Sequence, residues 1–232
     1  MFGTKRKLQN VNSFQVICGD SVIKKVKTVK YLGLLLDNNL SCENIVLNII
    51  NKCDRRLKFL YRYKEILNFK SRKTLCTALI QCHFEYSCSS WYPGINKTLK
   101  DKLQVAQNKM IRFILNLDNR SHIGHTEFKK SGVLDICNRM SQLRLNHAFK
   151  IRNDTCPDYL KFHFQNLNEN ENRIATRAKA YNFQVPKINT DTFAYLTIKD
   201  WNSLPENIKS IDNLNNFKQK VVKLFWENSN KQ

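Results

Sequence analysis

Cysteine and histidine side chains, which are the usual ligands of zinc in proteins, cluster in one part of the sequence. Five residues separate Cys76 from Cys82, and Cys88 follows a little further along. Zinc sites are usually built from two pairs of ligands, each pair with a short spacer of about two to four residues. A zinc site is therefore one interpretation, and a set of buried thiols is the other, which we favour. The remaining members of the cluster are His83, His122 and His125.

Other motifs that carry chemistry are missing from the sequence. No Cys–His pair has the spacing of an activated nucleophile. The chain contains 6 Gly and neither a Walker loop nor a Gly-x-Gly-x-x-Gly segment. The glycine pattern argues against a loop that cradles a phosphate. We therefore predict no catalytic residue and no metal ligand.

Positive charge dominates the composition. The chain has 39 Lys+Arg against 19 Asp+Glu, a net charge of +20, of which +18 falls within residues 1–152. Such an excess favours a polyanionic partner, most commonly nucleic acid. The alternative is that these residues form solvated helix faces. No apolar run approaches the roughly 20 residues that span a bilayer, and the first residues lack the apolar core of a signal peptide. We expect an intracellular protein with reduced cysteines and no membrane partner.

Hydrophobic patterns predict a mainly α protein with a small N-terminal antiparallel β-meander, an α+β fold. Residues 14–18, 21–26 and 28–37 are strand-like. Ser41 is the predicted N-cap of a helix that runs past Leu60, and Ser71 that of a second helix ending before residue 92. Further helices are expected at 98–117, 136–152 and 212–228. Residues 164–173 read as a polar loop, and residues 193–205 as an extended segment entering a turn.

The predicted sheet has only three short strands, too few to cover its own apolar side chains. Its third strand, residues 28–37, is apolar enough to need cover on both faces and a neighbour at its edge. The sequence offers no other strong strand before these three. We therefore expect either a missing part of the same protein or a partner chain at the sheet edge.

Six segments, taken together and in this order, resemble the C-terminal part of a non-LTR, LINE-type, jockey-like retrotransposon reverse transcriptase. The resemblance covers nearly the whole chain. The segments are VKTVKYLGLLLDNNLS (26–41), KCDRRLKFLYR (52–62), ALIQCHFEYSCSSWYPG (78–94), KLQVAQNKMIRFIL (102–115), RIATRAKAYNFQVP (173–186) and KDWNSLPENI (199–208).

The resemblance implies a domain organisation and a set of binding residues. Residues 1–40 would be the end of the palm, 41–120 the helical thumb, and 121–232 a C-terminal extension in which Trp201 is structural. Tyr31, Leu32 and Gly33 match the primer grip, where a glycine fits close approach of a nucleic-acid backbone. The other interpretation of Gly33 is a bulge, or tight packing against a helix. The basic side of the first helix would contact duplex phosphates without reading sequence. Its residues are Lys52, Arg55, Arg56, Lys58 and Arg62.

The same resemblance implies that catalysis resides elsewhere. Polymerases of this family hold a pair of metal ions on palm carboxylates that include adjacent aspartates, and this chain has no adjacent aspartate pair. We expect the fingers, most of the palm and those carboxylates to lie upstream. Mg²⁺ is expected only for the intact polymerase, and this chain alone should not polymerise.

Three functions follow as hypotheses. The first is a fragment of an RNA-directed DNA polymerase that retains non-specific binding of RNA or DNA, preferably a primer–template duplex, in the nucleus or cytoplasm. The second is a non-enzymatic interaction or structural protein whose sheet edge pairs with a partner. The third is a decayed retroelement product with no selected function.

Overall fold

The N-terminal strands form two separate β-hairpins. The computed structural model describes residues 2–3, 15–162, 164, 181–186 and 192–228. Strand β1 (Val16–Cys18) pairs antiparallel with β2 (Ser21–Ile23). Strand β3 (Thr28–Tyr31) pairs antiparallel with β4 (Leu34–Asp37), so that Tyr31 lies opposite Leu34. The small antiparallel β element at the N-terminus is thus confirmed; Phe14, the predicted start of the first strand, lies outside the described residues.

The prediction of a continuous third strand over 28–37 is wrong. The chain reverses at Leu32 and Gly33, whose φ angles are 44° and 83°. Two consecutive left-handed residues form the two-residue hairpin turn whose twist matches that of the flanking strands. The residues on both sides of the turn are apolar, so the sequence pattern predicted one continuous strand there.

The regular elements that follow the hairpins are all helices in the described chain. A single π-helical turn, Thr77–Gln81, joins α2 to α3. The α-helices are α1 (Glu43–Tyr61), α2 (Phe69–Cys76), α3 (Cys82–Glu85), α4 (Cys88–Trp91), α5 (Lys97–Leu115), α6 (His125–Ser131), α7 (Ile136–Arg152), α8 (Asp158–Lys161), α9 (Phe193–Asn202), α10 (Glu206–Lys209) and α11 (Leu214–Asn228).

The backbone before helix α1 is held by the carboxylate of Asp37 rather than by the predicted cap, Ser41. The Asp37 side chain at the end of β4 accepts hydrogen bonds from the backbone N–H groups of Ser41 (3.1 Å) and Cys42 (3.2 Å). Cys42 is the N-cap, in the left-handed region, and the Ser41 hydroxyl accepts only a 3.3 Å bond from the N–H of Glu43. Asp37 therefore satisfies donors that a helix start leaves unpaired, and it ties the second hairpin to α1.

Helices α2 and α5 also start at asparagines, which precede the predicted cap Ser71 and the predicted helix start at residue 98. Asn68 accepts a 2.9 Å bond from the N–H of Ser71, and Asn96 accepts one of the same length from Leu99. An asparagine at this position is among the strongest N-caps. The predicted Ser71 lies within α2 as the donor to the cap.

The prediction that residues 193–205 are extended is wrong, because most of them form α9. Thr192 caps this helix by accepting a hydrogen bond from the N–H of Tyr195. Ile198 and Trp201 are fully buried on one side of it, a helical spacing that outweighs the strand preference of the aromatic and β-branched residues. The predicted helices over 136–152 and at the C-terminus are confirmed as α7 and α11. The predicted loop over 164–173 lies outside the described residues except for Phe164.

Two hydrophobic clusters form the core. The first is built from α1 to α6 and the start of α7, and the second from the rest of α7 with α9, α10 and α11. Helix α7 joins them, since its Met140 belongs to the first cluster and its Leu145 to the second. In the second cluster Trp201 is buried and its indole N–H donates a 2.7 Å bond to the carbonyl of Tyr181, as a structural tryptophan does.

The predicted boundaries at residues 40 and 120 are not the places where these clusters divide. Val133 and Ile136 pack in the same cluster as α1. The division into 1–40, 41–120 and 121–232 stays a prediction. Among the described residues no helix is both long enough and apolar enough to cross a membrane.

Candidate nucleic-acid interface

The five basic residues predicted on α1 and its end do not share one face. Successive residues of an α-helix are rotated by about 100°, which spreads the five over an arc of about 160°. Lys52 and Arg56 lie at the edge of this arc that adjoins the π-helical turn and α3. Lys58 lies at the opposite edge, where it lines a cleft with Lys109 and Arg112 of α5.

Arg55, Lys58 and Arg62 form the exposed part of this arc, called here the basic face of α1. All three side chains are exposed. No carboxylate forms an ion pair with any of them in the part of the chain that the structure describes. Asp54, their acidic neighbour, is already paired with Lys109 at 2.9 Å between Oδ1 and Nζ. The positive charge of the basic face is therefore free to attract an anion.

Arg56 has a structural role that the sequence did not predict. Its guanidinium donates a 2.8 Å hydrogen bond from Nη1 to the backbone carbonyl of Leu79. Leu79 lies in the π-helical turn, where the regular helical hydrogen bonding is interrupted. Arg56 thus fastens α1 to that turn, and its remaining N–H groups are the ones that could reach a ligand.

The tip of the second hairpin reaches the same side of the molecule as Lys52. The Tyr86 hydroxyl donates a 2.7 Å bond to the carbonyl of Leu32. Gly33 lines a small pocket with Lys52 and Tyr86. Leu32 and Gly33, two of the predicted primer-grip residues, thus lie close to the edge of the α1 arc that holds Lys52. The third, Tyr31, is exposed on β3.

The reason for a glycine at position 33 is its backbone conformation. A Cβ added there would lie 3.6 Å from the Tyr86 ring, an ordinary contact. The φ of 83° is the constraint, since residues with a Cβ rarely adopt it. Neither close packing within the described chain nor a strand bulge explains this glycine; approach of an external backbone stays a prediction.

His83 shares the pocket with Gly33 and Lys52. Burial lowers the pKa of His83, and the nearby Arg56 and Lys52 charges lower it further. His83 is therefore neutral at pH 7. The positive charge on this edge of the arc therefore comes from Lys52 and Arg56 rather than from His83.

Two exposed aromatic side chains on the same arc were missed by the sequence interpretation. Phe59 follows Arg55 by four residues, and Tyr63 follows Phe59 by four, so the three lie along one row of the surface. The two rings are 5.5 Å apart between centroids. The sequence did contain a signal for their exposure, because both rings fall on the charged side of the helical pattern. The core-facing positions of α1 are already filled by aliphatic and cysteine side chains.

The clustered cysteines are free thiols that differ in burial. All eight cysteines are free, and Cys53, Cys76 and Cys88 are buried. Burial raises the pKa of Cys53 and of Cys76 to about 12, so both stay protonated at neutral pH. Cys82, in contrast, is exposed. Among the described residues no group of three or more His, Cys, Asp or Glu side chains could hold a metal ion.

Comparison with family models, with curated proteins and with solved structures found no match for this chain. A function for this chain therefore has to be inferred from its own side chains and sequence motifs.

Proposed function

We propose that this protein binds nucleic acid through the basic face of α1 and the adjoining tip of the second hairpin. The observation that carries the proposal is the set of three exposed basic side chains, Arg55, Lys58 and Arg62, with no carboxylate partner in the described chain. They belong to residues 1–152, the part of the sequence that holds +18 of the net charge of +20. Clustered positive charge of this kind is the electrostatic footprint of a nucleic-acid-binding protein.

The geometry favours contact with phosphates rather than with base edges. Helix α1 has 19 residues, hence a length of about 28 Å, and a duplex presents about 8 base pairs over that distance. Long, flexible Lys and Arg side chains on the side of a helix position a duplex without reading its sequence. We therefore propose a sequence-independent ligand, an RNA–DNA or RNA duplex such as a primer–template.

The resemblance in the sequence supplies the proposed origin of this surface. The chain would correspond to the palm end, thumb and C-terminal extension of a LINE-type, jockey-like reverse transcriptase, an RNA-directed DNA polymerase. Helix α1 would then be part of the thumb, and Leu32 and Gly33 part of the primer grip. Its free thiols are in keeping with an intracellular site of action, in the nucleus or cytoplasm.

We assign no catalytic step to this chain. The sequence lacks the adjacent aspartates that hold metal ions in polymerases of the family it resembles. The proposed activity is binding.

An interaction protein is the second candidate, and the first hairpin favours it. Val16, Ile17, Val22 and Ile23 are all at least 44% exposed on β1 and β2. A short hairpin with apolar side chains on its surface is an edge that another chain could cover. In this case the basic face of α1 would only aid solubility.

A double charge reversal tests the proposed function. We expect Arg55→Glu/Arg62→Glu to weaken binding of an RNA–DNA duplex by at least about 10-fold at low salt, because several phosphate contacts are lost. The readout is fluorescence anisotropy of a labelled duplex. Arg56 is left intact because its bond to Leu79 supports the fold.

The matched control is Lys199→Glu/Lys220→Glu, which makes the same change in net charge at exposed positions of α9 and α11. The control should bind nearly as well as the wild type. Equal losses in both variants would show that only net charge matters, and no binding by the wild type would leave the interaction protein as the better candidate.

A further inference from the structure

An exposed aromatic pair lies within the positively charged arc of α1. Phe59 is 53% exposed and Tyr63 is 46% exposed. Their rings meet edge to face, with centroids 5.5 Å apart and planes inclined at 60°. Phe59 lies three residues before Arg62 and four after Arg55, so cationic side chains flank it on the surface of the helix.

The core of the protein does not account for this pair. Helix α1 buries six side chains against the first hydrophobic cluster, and neither ring is among them. A half-exposed phenylalanine leaves apolar area in water, which is unfavourable by about 25 cal/mol per Å². An edge-to-face arrangement also leaves one ring open to a flat partner on its face.

The placement of flat apolar rings among cations points to a flat ligand that carries negative charge. Nucleic acid with unpaired bases has both properties, since its bases have free faces and each nucleotide has a phosphate. Bases inside a duplex are already stacked on each other, so they offer no face to a protein ring. Aromatic platforms within basic surfaces are the usual way in which proteins bind single strands.

We propose that Phe59 and Tyr63 stack on unpaired bases of a single strand while Arg55 and Arg62 contact its phosphates. The proposal rests on the nucleic-acid-binding function proposed above and adds a preference to it. Phosphate contacts alone would treat single strands and duplexes as similar polyanions. The aromatic pair makes this surface favour nucleic acid with unpaired bases, such as a single strand or the single-stranded end of a primer–template, over a blunt duplex.

Removal of the rings tests this preference. The probes are a single-stranded DNA of about 12 nucleotides, within the range of a compact single-strand site, a blunt duplex of similar length, and a single strand in which abasic sites replace the bases. We expect Phe59→Ala/Tyr63→Ala to weaken single-strand binding by about 10-fold and to leave duplex binding within about twofold. The abasic strand should bind the wild type no better than the normal strand binds the variant.

Two further variants control for folding and for aromatic content. Phe59→Trp/Tyr63→Trp keeps stacking faces and should retain single-strand affinity. Tyr159→Ala/Phe162→Ala removes two rings that are 76% and 77% exposed near α8, far along the chain from the basic face, and should bind like the wild type. Circular dichroism of every variant checks that the helical content is unchanged.

The outcomes separate this inference from the function on which it rests. Duplex binding that depends on Arg55 and Arg62, together with single-strand binding that is insensitive to loss of the rings, would overturn the stacking role and keep the function. Equal binding of the abasic and normal strands would overturn it as well. Failure of the wild type to bind any probe would overturn both.

Discussion

Asp37 is the carboxylate that links the second hairpin to the start of α1. It lies at the end of β4, is buried, and accepts hydrogen bonds from the backbone N–H groups of Ser41 and Cys42. Burial acts to raise the pKa of Asp37, but these hydrogen bonds outweigh burial and leave the pKa below its ordinary value. The ionised form is therefore the one that holds the hairpin to the start of α1.

Replacing Asp37 by asparagine should lower the free energy of unfolding by about 1 kcal/mol at pH 7, because a charged helix-start acceptor is lost. A carboxyl whose pKa is lowered on folding stabilises the protein above its unfolded pKa, near 3.9, and this contribution disappears as the pH falls through the folded value. The difference between wild type and Asp37→Asn should thus shrink below about pH 4.

Urea denaturation at pH 7 and at pH 3 to 4 measures this difference, with Asp101→Asn, at an exposed position on α5, as the control. A constant difference between wild type and Asp37→Asn across this range would show that the charge of Asp37 does not contribute.

At the scale of elements, periodicity predicted helices well and turns poorly. The apolar spacing of α1, α5 and α7 is regular, and the sequence placed all three helices. The turn at Leu32 and Gly33 was missed because it lacks the Asn-Gly or Asp-Gly pair that usually marks such turns. Its conformation is favoured by pairing of the flanking strands and by the bond from Tyr86, which are tertiary effects.

The candidate site was only partly predicted, because it also depends on tertiary contacts. Charge alone located the basic residues of α1, but it gave Arg56 the same role as Arg55, since a bond to a π-helical carbonyl depends on how two distant segments pack. Phe59 and Tyr63 were overlooked because aromatic residues in a helical segment are usually buried. Their exposure becomes visible only when the core of α1 is seen to be filled without them.

The hairpin tip allows a test of the account of Gly33. We expect Gly33→Ala to lower the free energy of unfolding by about 1 kcal/mol, because alanine is strained at a left-handed φ. The Tyr86 ring lies at an ordinary distance and should not add a clash. Thermal or urea unfolding measures the loss.

Gly94→Ala is the matched control, since φ at Gly94 is not in the left-handed region and a Cβ there meets nothing within 4 Å. A Gly33→Ala protein as stable as the control would show that the turn adopts another conformation in solution.

At the scale of the whole molecule, the distribution of net charge along the chain does not follow the division into two hydrophobic clusters. The two hydrophobic clusters share α7, whereas nearly all of the net positive charge lies before residue 153. Beside the second cluster, the basic side chain of Lys209 is buried and hydrogen-bonded within the protein. It donates to Asn182 at 2.7 Å and to the carbonyl of Asn202 at 3.1 Å. A polyanion should therefore bind to the part of the molecule formed by residues 1–152.

The salt dependence of duplex binding tests this central claim most directly. The logarithm of the association constant should fall linearly with the logarithm of the salt concentration, with a slope of about −0.9 for each phosphate contacted. Arg55→Glu/Arg62→Glu should reduce the slope by about 2, whereas Lys199→Glu/Lys220→Glu should leave it unchanged. A wild-type affinity independent of salt, or equal slopes in all three proteins, would contradict phosphate binding by the basic face of α1.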